Sequence, residues 1–225
     1  MTVEVPTVGE VDALLLRPNA ARWLLVLAHG AGAGMHHPFM DDLARALADC
    51  GLATFRYQFP YLQRQEKRPD SARVLTASVR AAVAAALEAV SDLPLFAGGK
   101  SLGGRMTSLA CAGDASGDTG GIPGVRGLVF VGFPLHPAGR PGRQRADHLA
   151  HVQLPMLFLQ GTRDQLADPA LMSGLCADLG PAATLHVVDG ADHSFHVLRR
   201  SGKTDADILR ELAGSIAAWG DALLR

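Results

Sequence analysis

Short apolar runs alternate along the chain with longer segments in which apolar residues recur every three or four positions. The continuous run Trp23–Ala28 is typical of a strand that helices cover on both faces. A mixed pattern at Val11–Leu16 predicts an early strand, with Val3–Val8 as its candidate partner. Comparable runs predict further strands at Leu52–Tyr57, Leu95–Ala97, Val125–Gly132, Leu154–Gln160 and Thr184–Val188.

Helix patterns follow most of these strands. Their starts are marked by residues that favour caps and first turns, namely Pro38, Asp70 or Ser71, Asp168 with Pro169, and the capping box Thr204 with Asp207. The apolar positions expected to face the core are Met40, Leu43, Leu47 and Cys50; Leu75, Val79, Val83, Leu87 and Val90; Leu171, Leu175 and Leu179; and Ile208, Leu212, Ile216, Trp219 and Leu223.

Strands that alternate with helices predict a doubly wound, mainly parallel sheet of about 7–8 strands with helices on both faces. We expect one domain over residues 1–225. Gln58–Pro69 and Gly113–Gly124 are predicted to be loops. The connection Phe133–His151 is expected to be too polar for the core. It is a candidate partial lid but is too short for a large cap domain.

The composition narrows the class of protein. Of 225 residues, 48% are hydrophobic and 19% are charged, which is enough apolar content for a large core. The 21 basic and 22 acidic residues give a net charge of -1, so neither nucleic acid nor an anionic membrane is an expected partner. Acids stand where a signal peptide would be basic, and no apolar run is long enough to span a bilayer. We therefore expect a cytoplasmic protein.

The cysteines and histidines do not form a metal-binding pattern. Cys50, Cys111 and Cys176 are odd in number and widely spaced, which favours buried free thiols over disulfides. The histidines lack clustered carboxylates or cysteines. We expect neither a metal ion nor another cofactor.

The strongest chemical signal is Gly99–Gly103, which reads G-x-S-x-G between an apolar run and a helix pattern. In this context the serine lies on a sharp turn with its hydroxyl exposed, and a side chain at either glycine would clash. The helix that follows directs its amide dipoles toward the hydroxyl. We predict that Ser101 is a nucleophile. A glycine-rich chain also produces this pattern by chance, so the prediction depends on partners elsewhere.

A nucleophilic serine needs a base, and the base needs a carboxylate that fixes its tautomer. Asp164 follows the end of a strand after Ser101, and His193 follows the next strand. The carboxyl ends of parallel strands meet at one edge of the sheet, so we expect the three side chains to lie together. Three neighbours stay open as rivals for these roles: Asp168 and Asp192 as the acid, and His196 as the base.

The negatively charged oxygen of an acyl intermediate needs backbone amides as donors. Leu102, directly after the serine, is one expected donor. The loop after Trp23–Ala28 is expected to supply the other, from Ala31 or alternatively from Gly32, while His29 supports the turn. Aromatic residues near strand ends are predicted to line the substrate site, with simple packing as the alternative: Tyr57, Phe59, Tyr61 and Phe133.

Two glycine-containing stretches allow other interpretations. GGKS resembles the end of a phosphate-binding P-loop, but Pro94 occupies the position of its first glycine and no loop remains to hold phosphates. HGAGAGM resembles the dinucleotide motif G-x-G-x-x-G through Gly30 and Gly32, although Met35 replaces its last glycine. Arg56 stands where an acidic residue would hold the ribose. A nucleotide-dependent oxidoreductase is therefore a weaker alternative.

Six stretches that run through most of the chain carry a family resemblance: HGAGAGM, FRYQFPY, GGKSLGGRMTS, VGFPLHPAGRP to DHL, FLQGTRD and GADHSFH. Together they resemble the α/β-hydrolase superfamily on its dienelactone-hydrolase-like side, and more closely the KANL/Tex-type hydrolase-like domain. The resemblance implies an α/β-hydrolase fold, a Ser101–Asp164–His193 triad, and an oxyanion hole formed by the HGAG loop and Leu102. Dienelactone hydrolases carry a cysteine nucleophile, so the serine here favours ordinary ester chemistry.

These features predict hydrolysis of a small-molecule acyl substrate, a short-chain carboxylic ester, thioester or lactone, through an acyl-enzyme. A non-catalytic binding or scaffold protein on the same fold is the alternative, although a scaffold has no need of a triad. The basic residues Arg140, Arg143 and Arg145 are expected either to select anionic substrates or, more simply, to face water.

Overall fold

An eight-stranded sheet forms the centre of the protein, whose computed structural model describes residues 1–112 and 121–225. The strands are β1 (Thr2–Val5), β2 (Gly9–Leu16), β3 (Leu24–Ala28), β4 (Ala53–Tyr57), β5 (Leu95–Lys100), β6 (Val125–Val131), β7 (Met156–Gly161) and β8 (Ala183–Val188). Their order across the sheet is β1-β2-β4-β3-β5-β6-β7-β8. The pairs β1–β2 and β2–β4 are antiparallel and the remaining pairs are parallel.

Helices connect the parallel strands. They are α1 (Pro38–Asp49), α2 (Pro60–Gln63), α3 (Ala72–Ala89), α4 (Leu102–Ala112), α5 (Pro169–Leu179) and α6 (Asp205–Leu223). Short 3₁₀ segments occur at Gln144–His151, Gly180–Ala182 and Arg199–Ser201. Side-chain caps fix several helix starts, because they satisfy amides that have no acceptor within the helix. Ser71 caps α3, Asp168 caps α5, and Thr204 forms a capping box with Asp207 at α6.

The sheet separates two hydrophobic cores. Leu24, Val26 and Ala28 of β3 belong to the core that also contains residues of α3, α4 and α5. Leu25 and Leu27 point to the opposite face and pack with residues of α1 and α6. This alternation follows from the two-residue period of a strand, and it explains why a doubly covered strand is apolar throughout.

The architecture confirms the predicted fold class, a mainly parallel sheet with helices on both faces and no cap domain evident in the described residues. Two details differ from expectation. The segment Gln58–Pro69 contains the short helix α2. Leu223 is 42% exposed because it is the last residue of α6 and lies beyond Gly220, the last buried residue of this helix. Of the predicted loop Gly113–Gly124, residues 113–120 lie outside the described residues.

The connection Phe133–His151 corrects a further prediction, since it contributes to the core. Phe133, Leu135 and Leu149 are completely buried. Exposed polar residues such as Arg140 and Gln144 lie between them, so an average over the segment underestimates how much of it is buried. Its 3₁₀ segment packs on α4.

Two features of the described residues bear on membrane and metal binding. Among the helices of residues 1–112 and 121–225, none is both long and apolar enough to cross a membrane. The same residues contain no group of three histidine, cysteine, aspartate or glutamate side chains arranged to hold a metal ion.

Candidate active site

Ser101 lies on a strained turn between β5 and α4. Its φ angle is 51°, a left-handed conformation that costs a residue with a Cβ about 1–3 kcal/mol. The Ser101 amide donates to the Val131 carbonyl at 3.1 Å, which ties the turn to the neighbouring strand. A Cβ at Gly99 or Gly103 would come within 2.6 or 2.5 Å of the Ala28 carbonyl oxygen. Both glycines of the motif are therefore required by the close approach of β3.

The hydroxyl of Ser101 begins a hydrogen-bonded chain of three side chains. Nε2 of His193 lies 2.9 Å from Ser101 Oγ, and Nδ1 lies 2.7 Å from Oδ2 of Asp164. The Asp164 side chain is 1% exposed, while that of His193 is 26% exposed. An ionised carboxylate can only accept, so Nδ1 carries the proton and Nε2 is free to accept from the hydroxyl. The structure thus brings together the three residues predicted for this chemistry.

Asp164 is held by donors on both of its oxygens. The Leu166 amide donates to Oδ1 at 2.8 Å. The side-chain amide of Gln160 donates to Oδ2, the oxygen that faces His193. Gln160 was not identified from the sequence. The signal that could have revealed it is a buried polar residue at the end of the apolar strand β7, four positions before the acid.

The three rival residues have other roles. Asp168 accepts the amides of Ala170 and Leu171 as the cap of α5. Asp192 accepts two amides of its own turn, from Ser194 and His196. His196 is exposed and pairs with Asp205, which raises the pKa of this histidine. None of them is hydrogen-bonded to Ser101.

The two amides predicted to stabilise an oxyanion differ in their surroundings from the alternative donor. Leu102 is the first residue of α4, and its amide has no acceptor within the helix. The Gly32 amide donates to the Tyr61 hydroxyl at 3.3 Å. The Ala31 amide has no acceptor among residues 1–112 and 121–225. This favours Ala31 over Gly32 as the second donor.

Buried contacts hold the loop that carries Ala31. The ring of His29 accepts the Phe59 amide at Nε2 and therefore donates from Nδ1 to the Gly30 carbonyl, at 2.9 and 2.8 Å. Burial lowers the pKa of His29 to about 4, so the ring is neutral near pH 7. The Met35 amide donates to Gln58 at 2.9 Å. His29 thus supports the turn, as expected.

A cavity of about 380 Å³ opens beside Ser101 and His193. Phe39, Met40 and Leu166 give it apolar walls, and Ala31 and Ala33 line the side of the oxyanion loop. Its polar side chains, apart from the Ser–His pair, are His37, Lys100 and Ser194. A small acyl group therefore has an apolar space directly next to the hydroxyl.

Residues 21–221 match the family model described as "Alpha/beta hydrolase domain". The chain belongs to this family. Among solved structures it is similar to a dienelactone hydrolase from Anabaena variabilis, with 22% identity, a TM-score of 0.73, and coverage of 97% of this chain and 94% of that one. It is also similar to an alpha-beta serine hydrolase homologue from Coxiella burnetii, with 20% identity, a TM-score of 0.72, and coverage of 95% of this chain and 94% of that one.

A third similar structure is a serine hydrolase without a lid from Xanthomonas campestris, with 23% identity, a TM-score of 0.71, and coverage of 97% of this chain and 93% of that one. At such identities these similarities show a shared fold. The family match confirms the resemblance to α/β hydrolases, and the dienelactone hydrolase shares the fold of this chain.

The nucleotide interpretation of the HGAGAGM loop does not suit this α/β hydrolase. Arg56 is 3% exposed, and its guanidinium donates to the Met35 carbonyl at 2.8 Å and pairs with Asp41. It therefore joins the loop to α1 and is not available to a phosphate. The basic residues Arg140, Arg143 and Arg145 are not among the residues that line the cavity. Arg143 pairs with Asp178 at 2.6 Å.

The predicted substrate-lining residues are wrong as cavity walls. Tyr57, Phe59, Tyr61 and Phe133 are at most 1% exposed and do not line the cavity beside Ser101. Large aromatic side chains at strand ends gain more by burial against each other than by facing water. Tyr61 still contributes indirectly, because its hydroxyl accepts the Gly32 amide.

The apolar walls of the cavity are formed by residues that the sequence patterns did not assign to the site. Phe39 and Met40 belong to the first turn of α1, and Leu166 follows Asp164 by two positions. Lys100, inside the G-x-S-x-G motif, was also missed. Its signal was a charged residue at the end of a strand that is otherwise buried.

Proposed function

We propose that this α/β hydrolase is a serine esterase that cleaves small carboxylic esters through an acyl-enzyme. The observation that carries the proposal is the continuous hydrogen-bonded chain from Ser101 through His193 to buried Asp164, with distances of 2.9 and 2.7 Å. A hydroxyl is a weak nucleophile unless a neutral imidazole accepts its proton, and this geometry supports that transfer.

In the first half-reaction, Oγ of Ser101 attacks the ester carbonyl carbon as its proton passes to Nε2 of His193. Asp164 stabilises the resulting imidazolium through Nδ1. The tetrahedral intermediate then collapses, the bond to the alcohol oxygen breaks, and His193 gives that oxygen its proton. The alcohol leaves, and the acyl group remains bound to Ser101.

The negative charge of the intermediate falls on the former carbonyl oxygen. The amides of Leu102 and Ala31 are the proposed donors to this oxygen. Both lie beside Ser101 and have no competing acceptor in the described part of the chain. Donors already in position need no reorganisation during the reaction, which is why they stabilise the transition state more than water does.

In the second half-reaction, water takes the place of the alcohol. His193 accepts its proton as the water oxygen attacks the acyl carbon, and Ser101 leaves with the proton returned by the imidazole. The products are the carboxylic acid and the free enzyme. The partly exposed imidazole leaves room for this water to approach.

The cavity supports a preference for acyl groups that are short and uncharged. Its walls at Phe39, Met40 and Leu166 are apolar, and its volume of about 380 Å³ is at the small end for a ligand pocket. Thioesters and lactones of the same size present the same carbonyl geometry and are included in the proposed substrate class.

The test is hydrolysis of p-nitrophenyl acetate, butyrate and octanoate by the purified protein. We expect turnover of the short esters and a loss of about 10³-fold or more in kcat for Ser101→Ala. Ser173→Ala, which changes an exposed serine on α5, is the matched control and keeps wild-type rates. Equal rates for the wild type and Ser101→Ala would contradict the proposal.

A further inference from the structure

Lys100 is the last residue of β5 and directly precedes Ser101. The residue is 9% exposed, and its Nζ donates to the backbone carbonyl of His193 at 2.7 Å. Lys100 is therefore the sequence neighbour of the serine and is hydrogen-bonded to the histidine that supplies the imidazole. This contact spans 93 positions of sequence.

The protein provides a defined space for the ammonium group. The Phe39 and Phe195 ring centroids lie 5.9 and 5.7 Å from Nζ, and the two rings stack 6.0 Å apart. Gly132 has a φ of +69°, and a Cβ there would come within 3.1 Å of Nζ and 3.6 Å of Cε1 of His193. The absence of this Cβ lets the ammonium and the imidazole occupy neighbouring positions.

The loop that carries His193, from Asp189 to Leu198, is itself neither strand nor helix, so contacts of its side chains and backbone hold it in place. It leaves β8 at Val188, and Phe195 adopts a left-handed φ of 62° that anchors the buried ring against Phe39. Asp192 closes the turn through the amides of Ser194 and His196. Of these contacts, the Lys100 bond acts on the backbone of His193 itself.

This arrangement opposes stability. No carboxylate lies within 4 Å of Nζ in residues 1–112 and 121–225, and burial lowers the pKa of Lys100 to about 8 against the opposing effect of Asp164 and Asp192. A buried cation paired only with a carbonyl and two ring faces costs more than an apolar side chain of the same length. Packing alone would favour methionine at this position.

We propose that Lys100 is a positioning residue whose ammonium holds the His193 carbonyl and thereby fixes the imidazole over Ser101. The inference rests on the esterase function proposed above. A charge-assisted bond is about twice as strong as a neutral one, which makes a cation more effective here than an amide or hydroxyl.

The test compares Lys100→Met with the wild type, using Lys67→Met, an exposed lysine, as the matched control. We expect Lys100→Met to lower kcat by about 10²-fold with little change in KM, because displacement of a catalytic group by about 1 Å has an effect of this size. Its Tm should equal or exceed that of the wild type. Lys67→Met keeps wild-type kcat and Tm.

A pH profile separates positioning from a purely structural role. The charged or titratable groups around the ammonium are Asp164, Asp192 and His193, with His37 lining the same cavity. As pH rises through about 8, Lys100 loses its charge. We expect kcat/KM to decline there in the wild type and to stay level in Lys100→Met.

The inference about Lys100 is overturned if Lys100→Met keeps the wild-type kcat. It is also overturned if the variant loses kcat and Tm together while its kcat/KM still declines above about pH 8. If Ser101→Ala is fully active, the esterase proposal itself fails. If Ser101→Ala is inactive and Lys100→Met is unaffected, only the positioning role is refuted.

Discussion

Gln160 donates its side-chain amide to Oδ2 of Asp164, the same oxygen that lies 2.7 Å from Nδ1 of His193. The Leu166 amide occupies Oδ1, so the carboxylate can neither rotate nor turn away from the imidazole. The Gln160 and Leu166 amides can only donate, and the carboxylate oxygens accept them while still facing Nδ1 of His193. This surrounding is what distinguishes Asp164 from the other acids near the site.

Asp164→Asn tests that distinction. The asparagine amide cannot accept from Nδ1 in every orientation and favours the wrong imidazole tautomer, so we expect kcat to fall by about 10³–10⁴-fold with little change in KM. Asp168→Asn is the matched control, because asparagine caps a helix as well as aspartate does. Steady-state kinetics on p-nitrophenyl butyrate measure both. If Asp168→Asn lost more kcat than Asp164→Asn, the acid of the site would be Asp168 and this account would be wrong.

Gly103→Ala tests the close approach of β3 to the turn. The added Cβ would lie 2.5 Å from the Ala28 carbonyl oxygen, and we expect it to lower the free energy of unfolding by about 2 kcal/mol or more. Gly214→Ala, in the open exposed face of α6, should instead raise it by up to about 1 kcal/mol. Urea denaturation of both variants checks the pair. Similar effects of the two substitutions would argue against a steric requirement at Gly103.

The buried neutral ring of His29 predicts a pH dependence of stability. The pKa of His29 is lowered to about 4 from 6.5, so between these values the unfolded chain binds a proton that the folded protein does not. The contribution of His29 to the free energy of unfolding is therefore fully present above pH 6.5. It declines by about 3 kcal/mol as the pH falls toward 4.

Denaturation curves at several pH values measure this slope. In His29→Gln, whose side chain can still accept the Phe59 amide, we expect a shallower loss of stability between pH 6.5 and 4. Part of the pH dependence should remain in this variant, because burial also lowers the pKa of His148 to about 4. An unchanged slope in His29→Gln would show that His29 does not titrate in this way.

Leu166→Trp tests the wall of the cavity. The larger ring should exclude long acyl chains, lowering kcat/KM for p-nitrophenyl octanoate by about tenfold or more, while the value for acetate changes little. Only the side chain changes, so the Leu166 amide still donates to Asp164. Equal losses for both esters would point to disturbance of Asp164 and not to the acyl site.

Much of the fold and the reactive core of the candidate site could be predicted from the sequence. Continuous apolar runs mark doubly covered strands, and parallel strands bring their carboxyl ends to one edge. That topology is enough to place Ser101, Asp164 and His193 near each other despite 92 positions between the first and the last. The flanking glycines follow from the same strand–turn–helix geometry.

The substrate cavity could not be predicted in the same way. Met40 appears in the sequence as one more apolar position of an amphipathic helix, and only packing decides that it also faces the cavity. Tyr57 and Phe59 show the reverse error, since aromatic residues beside a site are equally suited to its core. Lys100 was missed for another reason: its acceptor is a backbone carbonyl, so no residue type in the sequence marks its partner.

Covalent labelling by a fluorophosphonate tests the central claim most directly, because the probe reacts with an activated serine far faster than with an ordinary one. The purified protein is incubated with the probe, digested, and analysed by peptide mass spectrometry. We predict a single phosphonylated peptide with the adduct on Ser101 and no adduct in Ser101→Ala. An unlabelled wild type, or an adduct that persists in Ser101→Ala, would contradict the account of Ser101 as the nucleophile.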